Sequence, residues 1–244
     1  MTDYVLYDYI GKLLLFLNFT RISNNRSITL SREAILTVVS DPVCPWCYIG
    51  KKRLDLALTI LSKELDLREE WNPFELNPSL PKTGVDRSDY LRIKFGSTSA
   101  AKKIYSQVLL NAETDGLILN LHDIKKMPNT RDAHKLILSS DNSKLQNRIV
   151  ESLFEGYFIL GLDIGDTNTL LDIAENAGFE RTTAENILLD PEMNTLVETL
   201  ENQANNLGIM GVPAFLYNGH YIFSGAQSTE TIRLSITKAY ERRL

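Results

Sequence analysis

The stretch Ala34-Ile35-Leu36-Thr37-Val38-Val39-Ser40-Asp41-Pro42-Val43-Cys44-Pro45-Trp46-Cys47 decides how this chain is read. Its first six residues are apolar or β-branched, the pattern of a buried strand. Ser40-Asp41-Pro42 breaks the run, and two cysteines three positions apart open a helical segment. Within that segment Leu54, Ala57, Leu58, Leu61 and Leu65 recur on one face, while Lys51, Lys52 and Arg53 fall outside the stripe. Leu67 to Trp71 reads as a second strand. Strand, helix and strand at this spacing form a βαβ unit.

The placement of the cysteines carries chemistry. Residues i and i+3 are neighbours on a helix surface, close enough for a disulfide. Proline is favoured at the first helical position, so Pro45 makes Cys44 the N-cap. The Cys44 sulfur then meets unpaired backbone N–H groups and the positive end of the helix dipole, both of which favour a thiolate. Cys47 lies one turn inside and is expected to stay a thiol. Cys44 is therefore the candidate nucleophile and Cys47 the candidate resolving thiol, with Pro45 and Trp46 completing the motif. A C-x-x-C is by itself a weak signal, as often half of a metal site; its place between a strand and an amphipathic helix favours redox work.

Composition narrows the alternatives. The chain has 244 residues, 43% apolar and 23% charged, enough for one large domain or a core domain with an insertion. A net charge of −5 argues against nucleic acid as a partner. Two cysteines are too few for a disulfide-stapled secreted scaffold. A structural zinc site takes four ligands, and His122, His134 and His220 do not stand at finger spacing from the pair, so no metal is expected. A two-thiolate metal site completed by a second copy is the residual metal reading. Val5 to Phe19 is apolar but interrupted by Asp8 and Lys12, too short and too charged for a membrane span. It lacks a basic start and an Ala-x-Ala site. The cytoplasm is favoured, with this stretch read as a surface helix, an irregular extension, or an export or membrane-associated segment.

The middle of the chain turns helical. Asp89–Phe95, Ala100–Leu110, Thr130–Leu138, Lys144–Leu160, Thr169–Ala177 and Met193–Asn205 carry helical patterns, with Gly161 and Gly178 at helix ends. Ala214–Tyr217 and Tyr221–Phe223 flank Asn218-Gly219, a two-residue hairpin turn. Ser228 caps a last helix through Arg242. The layout implies an N-terminal extension (1–33), a βαβ half (34–80), a helical insertion (81–190) and an αββα half (191–244).

Gly211-Val212-Pro213 precedes the hairpin. A proline belongs at the first position of such a strand. X-Pro bonds are mostly trans, so the residues alone leave this one trans.

These segments resemble the DsbA-like FrnE group, relatives of 2-hydroxychromene-2-carboxylate isomerases and kappa-class glutathione transferases. The resemblance rests on Ser40 to Gly50, Pro73-Phe74-Glu75-Leu76-Asn77-Pro78, Asn129-Thr130-Arg131-Asp132-Ala133-His134, Gly211-Val212-Pro213 and Gly225-Ala226-Gln227. It implies a thioredoxin fold of the α/β class with an inserted helical domain, a cis bond at Pro213, and disulfide oxidase or isomerase activity; a reducing cytosol would favour reductase or isomerase work. It also implies that Val212, Pro213, Asn129 and His134 line the substrate site. The same resemblance puts a buried acid six residues before the first cysteine, and here that position is Val38. Asp41 is the nearest acid, as a catalytic group or as the start of the turn. Asn129 and His134 equally suit a helix cap and a polar contact inside that helix. Trp46 is expected to be exposed and to touch substrate; Tyr48, Trp71 and Phe74 read as packing residues.

The partners implied are proteins carrying thiols or disulfides, with glutathione admitted as a co-substrate and no other cofactor than the redox-active pair. The rival function is a glutathione-dependent isomerase or transferase acting on a small aromatic compound. Such relatives replace the first cysteine with serine, so the intact pair disfavours it. A non-catalytic binding or chaperone protein would not need the pair at a helix start.

Overall fold

The computed structural model describes residues 34–244 except 63, 64, 141 and 243. The expected extension 1–33, with its apolar stretch, lies outside the described residues. Strand β1 (Ala34–Ser40) leads into helix α1 (Pro45–Leu61) and strand β2 (Leu67–Pro73). β1 and β2 are parallel, from Ala34 opposite Leu67 to Ser40 opposite Pro73. Strands β5 (Ala214–Tyr217) and β6 (His220–Ser224) complete a four-stranded sheet of order β2-β1-β5-β6, with β5 antiparallel to β1. The β5–β6 turn is Asn218-Gly219, both with positive φ (47° and 80°), as this two-residue hairpin requires. Helix α9 (Thr229–Glu241), capped by Ser228, packs on α1.

Successive strand residues point to opposite faces, and the sheet uses both. Leu36, Val38, Phe215 and Tyr217 join the main core, whereas Val39, Ala214 and Leu216 pack with Ala204 and Ile209 on the other side. That two-sided burial explains the unbroken apolar run of β1.

Between β2 and β5 lie β3 (Val85–Asp86), α2 (Arg87–Phe95), α3 (Thr98–Thr114), β4 (Lys126–Met127), α4 (Arg131–Leu138), α5 (Ser143–Phe158), α6 (Thr167–Ala177), α7 (Arg181–Leu189) and α8 (Pro191–Asn206). The segment is helical apart from the antiparallel β3–β4 pair, two residues long on each side and too short for a periodic signal. Helix α7 also escaped the pattern: its buried residues are only Ala184 and Leu188. Among the described residues no helix is long and apolar enough to cross a membrane.

The segment packs on α1 through aromatic rings. Tyr48 of α1 stacks on Phe154 of α5 at 4.9 Å, and the Phe154 ring also meets the edge of Trp71. On the same flank Lys51, outside the apolar stripe, is buried and pairs with Asp55 at 2.8 Å and Glu151 at 3.0 Å. Phe154→Ala removes the shared ring, which is 1% exposed, and is expected to cost about 3–5 kcal/mol in urea unfolding. A loss below about 1 kcal/mol would mean that the cluster relaxes around the gap.

Candidate active site

At the end of β1 the chain turns through Asp41-Pro42-Val43. Asp41 does this with its side chain and its backbone: Oδ1 accepts from the Val43 N–H at 3.2 Å, and its carbonyl accepts from the Cys44 N–H at 2.9 Å. Cys44 is the N-cap of α1, with extended backbone and Pro45 following it. Its carbonyl accepts from Cys47 N–H at 3.0 Å and Tyr48 N–H at 3.3 Å, starting the helix.

The Val212–Pro213 peptide bond is cis. It delivers the Val212 carbonyl to 3.8 Å from Cys44 Sγ, which donates to it. Gly50 permits this approach: a Cβ there would stand 3.0 Å from Pro213 Cγ. The loop is fastened from behind. The Gly225 N–H donates to the Pro213 carbonyl at 2.7 Å, and Arg53 of α1 donates to the Ala226 carbonyl at 2.6 Å while pairing with Asp115 at 2.7 Å. In the sequence, Gly50 and Gly225-Ala226 carry the resemblance without a role of their own, and Arg53 only falls outside the apolar stripe. Their roles depend on a partner strand far away in sequence.

Both cysteines are thiols here, Cys44 5% and Cys47 1% exposed. Burial pushes the Cys47 thiol well up, and the adjacent Cys44 sulfur adds to it; Ser40 and the Asp41 backbone pull the other way. Cys47 therefore stays protonated until something takes its proton. Trp46, expected to be exposed, is half-buried and packs against the main core instead.

Residues 35–237 match the family described as the DSBA-like thioredoxin domain. The chain belongs to this family. It is similar to a probable DsbA oxidoreductase from Streptomyces coelicolor, at 27% identity and a TM-score of 0.77, covering 86% of this chain and 92% of that one. It shares its fold with a 2-hydroxychromene-2-carboxylate isomerase at 14% identity and a TM-score of 0.63, over 86% and 97% of the two chains. It likewise shares its fold with the cytosolic disulfide reductase DsbM of Pseudomonas aeruginosa, solved with glutathione, at 15% identity and a TM-score of 0.57, over 86% and 100%.

In this DsbA-like site the helical segment contributes Asn129 and His134. Asn129 Oδ1 accepts from the Arg131 N–H at 3.0 Å and its amide donates to the Leu80 carbonyl at 2.9 Å, so it anchors the start of α4. His134 of α4 is 1% exposed. Its Nε2 lies 3.9 Å from Asp41 Oδ1. Asp41 is fully buried; its Oδ2 accepts from the Leu76 N–H at 2.7 Å. Burial raises the Asp41 carboxyl to about 7, against the pull of the Leu76 and Val43 N–H groups and the Thr130 hydroxyl. Burial lowers His134 to about 3, and the Arg131 charge acts in the same direction. The DsbA-like site thus rests on a buried acid and a neutral imidazole.

Proposed function

We propose that this chain is a dithiol–disulfide oxidoreductase acting on proteins, with Cys44 as nucleophile and Cys47 as resolving thiol. The observation that supports it most is the asymmetry of the pair. Cys44 sits at a helix N-terminus beside the Val212 carbonyl, whereas Cys47 is sealed and held as a thiol. Cys44 attacks a substrate disulfide, one substrate sulfur leaves, and Cys47 then displaces Cys44 from the mixed disulfide. The Val212 backbone offers an edge along which an extended substrate segment pairs, and Pro213 fixes that edge over the sulfur.

The cytoplasm is the proposed compartment, supported by the likeness in fold to a cytosolic reductase, whose glutathione complex also motivates glutathione as a co-substrate. In a reducing compartment the pair works as a reductase or isomerase. The test is alkylation followed by activity. Iodoacetamide is expected to label Cys44 and spare Cys47, which is 1% exposed and held as a thiol, and Cys44→Ser is expected to abolish reduction of a disulfide peptide. Preferential labelling of Cys47 reverses the roles. A Cys44→Ser variant with full activity on a small aromatic substrate replaces this reading with the isomerase or transferase one.

A further inference from the structure

The Val212 carbonyl reaches Cys44 Sγ from a stretch that is poorly supported on one side. Met210 is 93% exposed, and a Cβ on Gly211 would meet no heavy atom within 4 Å. The Val212 side chain packs on both cores and sets the depth of the stretch. The aim of its carbonyl depends instead on the peptide unit it shares with Pro213, and that unit is held from behind. The Pro213 carbonyl accepts from the Gly225 N–H at 2.7 Å, and the carbonyl of the following residue, Ala226, accepts from Arg53 Nη1 at 2.6 Å. Gln227 closes this turn, its N–H donating to the Gly225 carbonyl and its side-chain amide to the Ser224 carbonyl, both at 2.8 Å. The rest of the Arg53 guanidinium faces the helical segment. Nε donates to Asp115 Oδ2 at 2.7 Å and Nη2 to Asn111 Oδ1 at 3.4 Å. Asp115 ends α3 and is itself fixed, its N–H donating to the Ala112 carbonyl at 3.0 Å. One guanidinium thus joins α1, which carries the cysteines, to the end of α3 and to the turn behind Pro213. A planar fork with donors on separate edges suits such a junction; a lysine ammonium is a single point.

We propose that Arg53 is a positioning residue for polypeptide substrates: anchored on Asp115 at the end of α3, it sets the Val212 edge against Cys44. The proposal rests on the dithiol function above. Arg53 acts through Ala226, Gly225 and Pro213 rather than on the sulfur. Exposed ion pairs are worth little, but here the Arg53 and Asp115 side chains are only 12% and 15% exposed. Asp115 matches the Arg53 charge, so the donor left over holds a neutral carbonyl without burying an unpaired cation. Such a charge-assisted bond is roughly twice as strong as a neutral one. Gly50, three residues earlier on α1, lets Pro213 come close, and Arg53 clamps the turn behind it. The helix that carries the nucleophile therefore carries both the gap and the clamp for the docking edge. Moving the edge weakens the hold on an extended backbone. A disulfide with no backbone does not use the edge.

Two disulfides separate this role from a merely stabilising one. Single turnovers of the pre-reduced protein are followed on a disulfide-bonded extended peptide and on hydroxyethyl disulfide, which has no backbone to pair with Val212. Urea midpoints are measured beside them. Arg53→Met keeps the side-chain length and loses the fork. It is expected to raise the half-saturating peptide concentration about 10-fold with the limiting rate nearly kept, the sign of lost docking. The second-order rate with hydroxyethyl disulfide should move far less. Arg53→Lys keeps the charge beside Asp115 without the fork, so it should recover the urea midpoint and not the peptide half-saturation. It carries the test if Arg53→Met does not fold. Asp115→Asn, which loosens the α3 end of the junction, should weaken peptide docking in the same direction by less. Wild-type peptide half-saturation in Arg53→Lys, or rates that fall by the same factor on both disulfides, overturns the proposal and leaves Arg53 a stability contact. A wild-type protein that reduces neither disulfide overturns the dithiol function, and this proposal with it.

Discussion

Replacing Cys47 with Ser is expected to stop turnover at a covalent adduct through Cys44. The nucleophile is untouched, so the first exchange proceeds; the thiolate that would break the mixed disulfide is gone. Expressed in its native host, acid-quenched and run on non-reducing gels, Cys47→Ser should yield discrete protein adducts that dithiothreitol releases. Wild type should show few, and the Cys44→Ser, Cys47→Ser double variant none. The substitution is small in volume and places a hydroxyl beside Ser40, so its stability cost stays near ~1–3 kcal/mol, the penalty of one poorly satisfied buried polar group. Adducts to glutathione alone would contradict a protein-docking role for the Val212 edge and move the assignment toward small-molecule chemistry.

The fold was legible where local signals agreed with the tertiary outcome. The apolar run of β1, the helical stripe of α1 and the Asn218-Gly219 turn each specify their own conformation, and each is found where its pattern puts it. Proline after Cys44 and a break before it placed the pair at a helix start for reasons that need no partner. What was not legible depends on distant chain. Asp41 reads equally as a turn residue or a catalytic acid; it makes the turn, but its complete burial comes from Leu76, Thr130 and His134 closing over it. Lys51 falls outside the stripe of its own helix, and α5 then buries it against Glu151. Helix α7 lacked a stripe because it presents only two residues to the core.

Gly50→Val is expected to lower kcat/KM on a disulfide peptide about 100-fold while the protein stays folded. Gly50 lies on α1 one turn past Cys47, and a Cβ there would reach Pro213 Cγ at 3.0 Å, with Ala226 Cα and Phe215 Cζ at 3.8 Å. Pro213 has little room to retreat, because its carbonyl is held by Gly225 and the next loop by Arg53. Alanine adds one methyl and gains roughly 1 kcal/mol of helix propensity, which offsets the crowding and leaves stability near the wild type. Valine adds two branches more, and overpacking of this kind costs about 1–3 kcal/mol. The larger consequence is positional. The Val212 carbonyl sits 3.8 Å from Cys44 Sγ, and a shift of about 1 Å in a docking edge costs about 100-fold in rate. Urea midpoints separate the two effects: Gly50→Ala should match the wild type in stability yet already lose activity, with Gly50→Val lower in both. A Gly50→Val protein that reduces the peptide at the wild-type rate would show that the edge beside Cys44 does not hold the substrate.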